Sequence, residues 1–540
     1  MPKNFLEGPT RTRFEAQLPG LLKGRRWFGG KARDATTARI IDTISIPSQH
    51  HDTVLVLIDV AYRDAGHETY VLLIASAVGE EADNVSKDMP RAVLLHSPEG
   101  QADGCVKELL YDAMWDSAAM HTLLRAMGDG ARFEGEVGAL QGSRTTAYEP
   151  MVATDGPLAP RVLNAEQSNT SVAFGDRALL KLYRRTQPGV NPDWEIGRYL
   201  TSRAFFHSPA VGGALEYVVR SGEATTVALL QAFVRNQGDA WAATLRELDE
   251  FLTRVVAETP GVDSGAGKTC TMWDLAQTPV SEKTRDVIGP TLEAAAALGR
   301  LTAVLHRTLG EADDPDFASE PLTSQYREAR HHSMLQLWQQ VVSLVRQRSM
   351  QGIPIPAEAS DLLAQDAGVL AIFQAVLEIE QGGRRIRCHG DYHLGQVLWT
   401  GSDYVVTDFE GEPARPLHER RMKHSPLYDV AGMLRSFDYA SWTALANNRA
   451  KAMREQLEPW TTYWSRWVRA HFLATYVTHV KDTPFWPPSS KDAARLLTVY
   501  QLEKAVYELG YELNNRPEWV AIPLKGINEI IQLSGARAAA

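Results

Sequence analysis

The pattern of hydrophobic and polar positions divides the chain into a β-rich first part and a largely helical second part. In the first part, short runs of β-branched and aliphatic residues are bounded by turn residues and predict strands. These runs lie at Thr53–Val60, Thr69–Ala75, Val172–Phe174, Ala178–Tyr183 and Thr225–Phe233. The tight turn Gly175-Asp176 between the third and fourth runs predicts a hairpin.

Helical spacing of apolar residues is the second signal in the pattern. It predicts one helix at Leu109–Met127, and Asn191-Pro192 supplies an N-cap and a first-position proline for another. Beyond residue 240 long amphipathic helices dominate, and one β-like segment at residues 386–409 interrupts them. Strands followed by helices with one central hairpin predict an α+β chain with a β-rich lobe and a helical lobe.

Composition and charge narrow the class of protein. The chain has 540 residues, with 56 Lys plus Arg against 66 Asp plus Glu and a formal net charge of −10. That balance argues against a nucleic-acid partner or an anionic membrane surface. The sequence shows no signal peptide and no apolar run long enough to cross a bilayer. Its 3 cysteines have no paired spacing, which fits a reducing compartment, so we expect a cytoplasmic protein.

The strongest chemical signal is the sequence HGDYHLGQVL, which begins at His389. Asp391 stands five residues before the amide Gln396, and Asp408 follows in the sequence VVTDFEG. Kinase catalytic loops have this order because one carboxylate must reach the acceptor hydroxyl, while an amide oxygen and a second carboxylate hold Mg²⁺ against the nucleotide phosphates. We therefore predict that Asp391 is catalytic and that Gln396 and Asp408 are the metal ligands.

Two short strands explain how these groups would meet. Val397–Trp399 can pair with Tyr404–Phe409 across Gly401-Ser402, and a hairpin of that size would bring Asp408 back beside Gln396. The alternative is a tight polar turn between two strands with no chemistry. The agreement of three separate groups in spacing favours the catalytic interpretation.

A structural zinc site is a further alternative for the same segment. His389 and His393 are four residues apart, as two ligands on one helix would be. The glutamate of the H-E-x-x-H motif is missing, however, and Gly390 weakens a helix here. We expect His389 to brace the loop by hydrogen bonding and His393 to line the acceptor site.

A second signal lies upstream, where Lys181 falls on a predicted strand and Glu195 in the first turn of the helix that Asn191 caps. Kinases use a strand lysine held by a helix glutamate to bind the α- and β-phosphates of the nucleotide. A solvated lysine and a surface glutamate near a helix start are the alternative. The position upstream of the Asp391 loop favours the kinase interpretation.

The rest of the predicted nucleotide site is placed by topology. Residues 166–171, with the sequence EQSNTS, replace a glycine-rich loop, and hydroxyl and backbone N–H groups of such a turn can bind phosphates. The residues assigned here are Ser168, Asn169 and Thr170. Gln231 and Phe233, at the end of the last strand of this part, form the expected hinge for adenine.

At these residues the sequence resembles the aminoglycoside phosphotransferase-like kinases, whose loop reads H-G-D-x-H-x-x-N. This chain has Gln396 in place of the Asn, and in that respect its loop resembles that of maltokinases. Further maltokinase-like segments are DFEGEPARP from Asp408, SPLYDVAGMLRSFDY from Ser425 and RWFGGK from Arg26. The similarity extends over nearly the whole chain.

The resemblance implies a protein-kinase-like two-lobed α+β fold with three parts. These are an N-terminal β-rich cap at residues 1–135, an intermediate β-rich nucleotide-binding subdomain at residues 136–236, and a mainly helical C-lobe at residues 237–540. It also implies transfer of the γ-phosphoryl group of ATP, with Mg²⁺, to the anomeric hydroxyl of maltose. Maltokinases contribute to α-glucan synthesis from trehalose, so trehalose synthase is an expected partner.

The acceptor site is the least determined part of the prediction. Tyr500, Glu503, Tyr507, Tyr511 and Asn514 share one face of a predicted helix, and of these we assign Tyr507 and Tyr511 to sugar binding. The alternative is an ordinary buried tyrosine seam between helices. Further acceptor candidates are His393, Glu412 and Arg415.

Two rival functions and one motif stay open at this point. A kinase for another sugar, such as glucosamine, would keep the same phosphate machinery, and an inactive kinase-like partner of trehalose synthase would need none of it. The segment Arg26–Lys31 either touches the nucleotide or packs against the next lobe.

Overall fold

A computed structural model describes the chain apart from twelve short stretches. These stretches are residues 1–5, 48–52, 97–107, 154–157, 164–167, 259–269, 312–313, 354–358, 360–361, 363–364, 447–452 and 539–540. Cys105 and two residues of the predicted phosphate-binding turn, Glu166 and Gln167, therefore lie outside the described residues.

The described chain forms two compact units. The N-terminal unit consists of Met1–Arg235 together with Pro413–Arg420, and the helical unit consists of Asn236–Glu412 together with Arg421–Ala540. The chain therefore leaves the helical unit for one short segment and then returns to it. The subdomain boundary expected at residue 135 stays a prediction.

Two antiparallel sheets make up most of the N-terminal unit. Their strands are β1 (Ala35–Ile46), β2 (Thr53–Tyr62), β3 (His67–Val78), β4 (Val93–His96), β5 (Glu108–Asp112), β6 (Arg132–Glu134), β7 (Gly138–Arg144), β8 (Pro160–Leu163), β9 (Asn169–Phe174), β10 (Ala178–Tyr183), β11 (Arg185–Thr186), β12 (Val211–Val219) and β13 (Ala224–Ala232). The first sheet has the order β1-β2-β3-β5-β4 with β11 added to β3, and the second has the order β6-β7-β12-β13-β10-β9-β8.

The central strand β2 shows why the first sheet forms from a nearly continuous apolar run. Successive side chains of a strand point to opposite faces. Val54 and Val56 join one apolar core together with Phe14 of the first helix, whereas Leu55 and Leu57 join a second core that also contains residues of the other sheet. Both faces of the sheet are therefore covered, and an alternating polar face is not required.

The second sheet carries the predicted nucleotide residues. Strands β9 and β10 pair as the hairpin expected around Gly175, which has φ 56°, and β13 pairs along the other edge of β10. Strand β9 begins at Asn169, three residues before the predicted start. Asn169 and Thr170 are thus strand residues and do not belong to the expected turn, whereas Ser168 precedes the strand and is exposed.

The helices fall mostly in the second half of the chain. Those of the N-terminal unit are Gly8–Lys23, Glu80–Asp88, Ser117–Gly128, Tyr148–Val152, Pro192–Ser202 and Leu417–Arg420. Those of the helical unit are Ala240–Glu258, Met272–Ala276, Glu282–Ile288, Pro290–Gly310, Ser324–Met350, Asp366–Gln374, Leu427–Ala446, Arg454–Val480, Ser490–Asn515 and Ala521–Ala538. The same unit contains the short strands β14 (Glu320–Pro321), β15 (Arg384–Arg385), β16 (Val397–Trp399) and β17 (Tyr404–Val406).

The helix predicted at Leu109–Met127 was wrong over its first eight residues. Leu109 to Asp112 belong to strand β5, which pairs with β3 and β4, and the helix begins only at Ser117. Asp116 sets that start because its carboxylate accepts the N–H groups of Ala118 and Ala119. The α+β organisation, with a β-rich N-terminal part and a helical C-terminal part, is confirmed. Among the described residues, no helix has both the length and the apolar character that crossing a bilayer requires.

Candidate active site

The loop that carries Asp391 is fastened to the helix Leu427–Ala446 by one buried carboxylate. Asp429 accepts the backbone N–H of His389 at 2.8 Å and that of Gly390 at 3.0 Å. The buried ring of His306 donates to the same carboxylate, with Nε2 at 3.0 Å from Oδ2. Burial is the largest single influence and would raise the pKa of Asp429. The hydrogen bond and charge of His306, together with His389 and the N–H of Gly390, outweigh it, so the pKa is lowered. A charged Asp429 therefore fixes the backbone just before Asp391.

Gly390 gives the loop its shape. It has φ 84°, in the left-handed region that favours glycine, and a Cβ atom there would lie 3.3 Å from Cα of Gly411. The Asp391 loop and the segment after Asp408 therefore approach each other backbone to backbone. Any side chain at residue 390 would separate them.

His389 braces the loop, as predicted. Its Nδ1 accepts the N–H of Asp391 at 3.3 Å, its Nε2 donates to the carbonyl of Thr407 at 2.9 Å, and its ring lies 4.9 Å from the ring of Phe409. One imidazole thus joins Asp391 to the residues on either side of Asp408. Both ring nitrogens of His389 are therefore used in hydrogen bonds that brace the loop, which favours a structural role over that of a zinc ligand.

The short hairpin forms as expected and returns the chain to Gln396. Strands β16 and β17 pair in the register Val397↔Val406 and Trp399↔Tyr404. Beyond them, Thr407 donates its N–H to the carbonyl of Gln396 at 2.9 Å. The next residue, Asp408, has φ 67°, an uncommon conformation for a residue with a side chain and one that recurs at functional sites.

The carboxylate of Asp391 has a lysine neighbour that the sequence analysis did not identify. Nζ of Lys504 lies 3.4 Å from Asp391 Oδ1 and 2.5 Å from Glu412 Oε1. The hydroxyl of Tyr428 donates to the same Glu412 oxygen at 3.2 Å. Burial opposes the charge of Lys504, but Glu412 and Asp391 outweigh it and raise the pKa of the lysine well above its ordinary value. Lys504 is therefore a cation held between two carboxylates.

His393 lies on the other side of Asp391. Its Nε2 is 3.8 Å from Asp391 Oδ2, and its Nδ1 accepts the N–H of Gly395 at 3.1 Å. Partial burial lowers the pKa of the ring, which favours the neutral imidazole at neutral pH. The side chain keeps 39 % exposure, so it can meet an acceptor molecule. Its sugar-binding role stays a prediction.

The tyrosine face of helix Ser490–Asn515 divides into two parts. Tyr500 and Glu503 are buried, and Glu503 pairs with the guanidinium of Arg330, so this end is the structural seam that was the alternative interpretation. Tyr507 is half-buried, with its ring centre 5.3 Å from Nζ of Lys504, and Tyr511 is 46 % exposed. The structure therefore brings Tyr507 to the Asp391 site through Lys504.

Arg415 lies in the segment that the N-terminal unit holds. Its guanidinium pairs with Glu419 one helical turn later, at 3.5 Å. The assignment of Arg415 to sugar binding stays a prediction.

The predicted nucleotide lysine is buried in the N-terminal unit and paired with an aspartate. Nζ of Lys181 lies 3.3 Å from Asp193 Oδ2, and the Tyr183 hydroxyl donates to the same oxygen at 3.1 Å. Asp193 lies in the first turn of the helix Pro192–Ser202, which Asn191 caps, as predicted, by accepting the N–H of Asp193. Glu195, the expected partner, is buried two residues further along the same first turn, and its role stays a prediction.

The other predicted nucleotide residues lie near β10 in the second sheet. Thr170 is buried, and its hydroxyl accepts Nε of Arg184 at 2.8 Å. Gln231 is buried opposite Leu179, and the N–H of Phe233 donates to the carbonyl of Arg177 at 2.9 Å. The adenine and phosphate roles of these residues, and those of Ser168 and Asn169, stay predictions.

A comparison with protein families decides the class of chemistry. The model of the phosphotransferase enzyme family, APH, matches residues 195–467, just over half of the chain, and that stretch includes the whole Asp391 loop. The chain belongs to the phosphotransferase enzyme family. A second model, the maltokinase N-terminal cap domain, matches residues 21–116 of this phosphotransferase.

Two curated relatives and one solved structure extend the comparison. The phosphotransferase is 24 % identical over 365 residues to a glucosamine kinase of Mycolicibacterium smegmatis, covering 67 % of this chain and 77 % of that one. It is 26 % identical over 284 residues to a glucosamine kinase of Streptacidiphilus jiangxiensis, covering 52 % and 58 %. A glucosamine kinase solved with glucosamine, ADP and inorganic phosphate superposes with a TM-score of 0.61 at 19 % identity, covering 98 % and 99 %. The last similarity confirms the predicted kinase-like fold.

Proposed function

We propose that this phosphotransferase is a sugar kinase that uses ATP and Mg²⁺ to phosphorylate maltose at its anomeric hydroxyl, giving maltose 1-phosphate. The observation that carries the proposal is the contact set of Asp391, whose carboxylate lies on a braced loop with Lys504 on one side and His393 on the other. The maltokinase-like cap match and the maltokinase-like segments support maltose as the acceptor.

In the proposed reaction Asp391 orients the sugar hydroxyl and accepts its proton as the oxygen attacks the γ-phosphorus of ATP in line. The new bond from the sugar oxygen to phosphorus forms as the bond to the β,γ-bridging oxygen breaks, and ADP leaves. A positioned general base contributes about 10²- to 10⁴-fold to rate. Lys504 holds Asp391 in place, because its Nζ lies 3.4 Å from Asp391 Oδ1. Lys181, kept in one position by Asp193, would bind the nucleotide phosphates from the N-terminal unit.

The donor chemistry of the chain fits magnesium. Gln396 offers an amide oxygen and Asp408 a carboxylate, both hard oxygen ligands of the kind Mg²⁺ prefers. When bound there, Mg²⁺ would neutralise negative charge on the nucleotide phosphates. The backbone bond between Thr407 and Gln396 keeps the two ligand residues in adjacent positions.

Charge in the site favours a neutral sugar over an amino sugar. Glucosamine carries an ammonium group at neutral pH, and its recognition calls for an uncompensated carboxylate. Two carboxylates of the site, Asp391 and Glu412, already lie against the cation of Lys504. That cation would repel an ammonium group, whereas the hydroxyls of maltose can bind to the partly exposed side chains of His393 and Tyr507. Glu412, a further predicted acceptor residue, is buried against Lys504, and its sugar-binding role stays a prediction.

Glucosamine is the second candidate because two curated relatives and a solved structure of similar fold bear the name glucosamine kinase. A sugar panel separates the candidates: maltose, glucosamine, glucose, trehalose and N-acetylglucosamine, each with ATP and Mg²⁺. ADP release gives kcat/KM, and NMR of the product gives the phosphorylated carbon. We expect maltose to have the highest kcat/KM and the phosphate to be on its anomeric oxygen.

The Asp391→Asn protein serves as the matched control for contaminating ATPase. A preference for glucosamine would replace maltose in the proposal. Absence of turnover with every sugar would favour the inactive kinase-like interpretation. A trehalose synthase partner and a place in α-glucan synthesis follow from the maltokinase resemblance alone, and co-purification with a synthase would test the first of them.

A further inference from the structure

Residues 185–190 lie in the link between strand β10, which carries Lys181, and the helix Pro192–Ser202, which carries Asp193. The first two of these residues, Arg185 and Thr186, form strand β11, which leaves the second sheet. Strand β11 pairs with β3 of the first sheet, which we call the cap sheet, in the register Arg185↔Tyr70 and Thr186↔Thr69. The link between the two predicted nucleotide residues is therefore also a part of the cap sheet.

The guanidinium of Arg185 joins the cap to the segment Pro413–Arg420. Its Nη1 donates to Glu68 Oε1 at 3.2 Å, and its Nη2 donates to the carbonyl oxygen of Pro413 at 3.2 Å. All three residues belong to the N-terminal unit. The planar guanidinium suits this role, because its donors point in two fixed directions at once.

Glu68 is itself held rigidly. The hydroxyls of Tyr62 and Tyr70 donate to its Oε2 at 2.5 and 2.7 Å, and both tyrosines are buried. A carboxylate with two tyrosine donors and an arginine has little freedom to turn. The cap side of the Arg185 contact is therefore preorganised.

The RWFGGK motif packs onto this network. The ring of Phe28 lies 5.0 Å from that of Tyr70, and a Cβ atom at Gly29 would lie 3.5 Å from Nη1 of Arg185. A Cβ atom at Gly30 would overlap the hydroxyl of Tyr62. The two glycines thus let the motif close over the residues that hold Arg185, which explains a motif whose role the sequence left open.

A second contact fastens the same segment a few residues later. The side-chain oxygen of Gln187 accepts the N–H of Leu417 at 2.7 Å, and the buried Leu417 side chain packs against Gly189. The link 185–190 therefore holds the segment 413–420 at its beginning and at the start of its helix.

Pro413 is covalently joined to Glu412, so a contact that holds Pro413 also restricts where Glu412 can lie. Glu412 is the carboxylate that pairs with Lys504, and Lys504 reaches Asp391. We infer that Arg185 is a positioning residue for phosphoryl transfer: anchored to the cap by Glu68, it holds Pro413 and so the segment that leads from Asp408 to Glu412. The expected effect on kcat rests on the proposed function, whereas the expected effect on the position of the segment rests only on the contacts of Arg185.

The test compares Arg185→Met and Arg185→Lys with the matched control Arg63→Met, which removes an exposed ion pair to Asp34 on the cap, outside this network. Three quantities are measured for each protein: kcat with the accepted sugar, the Kd for ADP, and hydrogen exchange of peptides covering residues 409–420. Arg185→Met should lower kcat about tenfold or more, leave the Kd for ADP within twofold, and speed exchange in that segment. Arg185→Lys should fall between this variant and the native protein, and Arg63→Met should match the native protein.

Native exchange at residues 409–420 in Arg185→Met would overturn the inference, as would a parallel loss of ADP affinity and of exchange protection throughout the N-terminal unit. If the native protein phosphorylates no sugar, the proposed function fails, and the exchange result still decides whether Arg185 holds the segment. Glu68→Gln gives an independent check: its effect should be in the same direction and less than additive with Arg185→Met, because both act through one contact.

Discussion

Replacing Asp429 by alanine should both destabilise the helical unit and disable the catalytic loop. The substitution removes the acceptor of two loop N–H groups, those of His389 and Gly390, and of the buried His306 ring. Each buried donor left without a partner costs about 1–3 kcal/mol. Since breaking a buried charged network typically costs about 3–5 kcal/mol, we expect a loss of that size in the free energy of unfolding.

The effect on rate has a separate origin. Asp391 is one residue beyond the released N–H groups, and a misplacement of about 1 Å can cost on the order of 100-fold in rate. We therefore expect kcat of Asp429→Ala to fall about 100-fold at saturating substrates. Asp429→Asn keeps one acceptor oxygen, but its NH₂ group would face one of the N–H donors that the carboxylate accepts. The stability of this variant should therefore lie between that of Asp429→Ala and that of the native protein.

A matched control separates stability from rate. Asp492 is also a buried carboxylate of the helical unit that accepts backbone N–H groups, from Gln381 at 2.8 Å and Glu380 at 3.3 Å. Asp492→Ala should lose stability in a urea titration and keep kcat. The reasoning fails if Asp429→Ala stays within 1 kcal/mol and threefold in kcat, or if Asp492→Ala loses kcat equally.

The pH dependence of the Asp429 contribution has a definite sign. The pKa of the carboxyl is lowered in the folded protein, so its stabilisation is complete above the ordinary aspartate pKa of about 3.9 and is lost as pH falls through the folded value. The stability difference between native protein and Asp429→Ala should therefore be constant from neutral pH down to about pH 5 and should shrink in more acidic solution. An increase of that difference on acidification would contradict the assignment.

Three further variants test the rest of the site. Lys504→Met leaves Glu412 buried without its cation, so the free energy of unfolding should fall by about 3–5 kcal/mol. Part of that loss should be recovered in the double variant with Glu412→Gln, and fully additive effects in this double-mutant cycle would show that the two residues do not interact. Lys181→Met should raise the Kd for ATP about tenfold or more, and Asp193→Asn should act in the same direction in calorimetry, whereas native affinity in both would remove them from the nucleotide site. Tyr507→Ala should raise the KM for the sugar about tenfold with an unchanged KM for ATP, and a loss of stability alone would make it a packing residue.

The hairpin beside the Asp391 loop could be predicted because the information is local. Asp391, Gln396 and Asp408 are separated by short segments whose turn residues and β-branched runs determine the pairing. The bracing role of His389 also followed from its position beside Asp391. Strand boundaries were less accurate at Asn169, where polar residues form the first part of a buried strand.

The residues that the sequence did not identify make long-range contacts. Lys504 meets Asp391 from 113 positions further along the chain, and Asp429 holds the loop from a separate helix. Lys504 lies four residues after Tyr500 and three before Tyr507, so it shares the helix face that was identified. It was not selected because a lysine on a helix is ordinarily expected to be exposed to solvent. Helical spacing indicates a face and cannot indicate which residue packs against it.

The partner of Lys181 illustrates a related difficulty. Asp193 and Glu195 both fall in the first turn of one helix, where acidic residues are common for reasons of helix stability. Which of them reaches the lysine depends on how the helix is rotated against β10, and that rotation is determined by tertiary packing. The spacing to Glu195 suggested one partner, and the structure adds Asp193.

The central claim is that the carboxylate of Asp391 is the general base that accepts the proton of the sugar hydroxyl, and Asp391→Asn tests it most directly. The amide keeps the size of the side chain and removes the base, so single-turnover product formation with the accepted sugar should fall by about 10²- to 10⁴-fold. Calorimetry should find the Kd for ADP unchanged, because the predicted nucleotide residues are untouched. Product formation within a few-fold of the native rate would contradict the account.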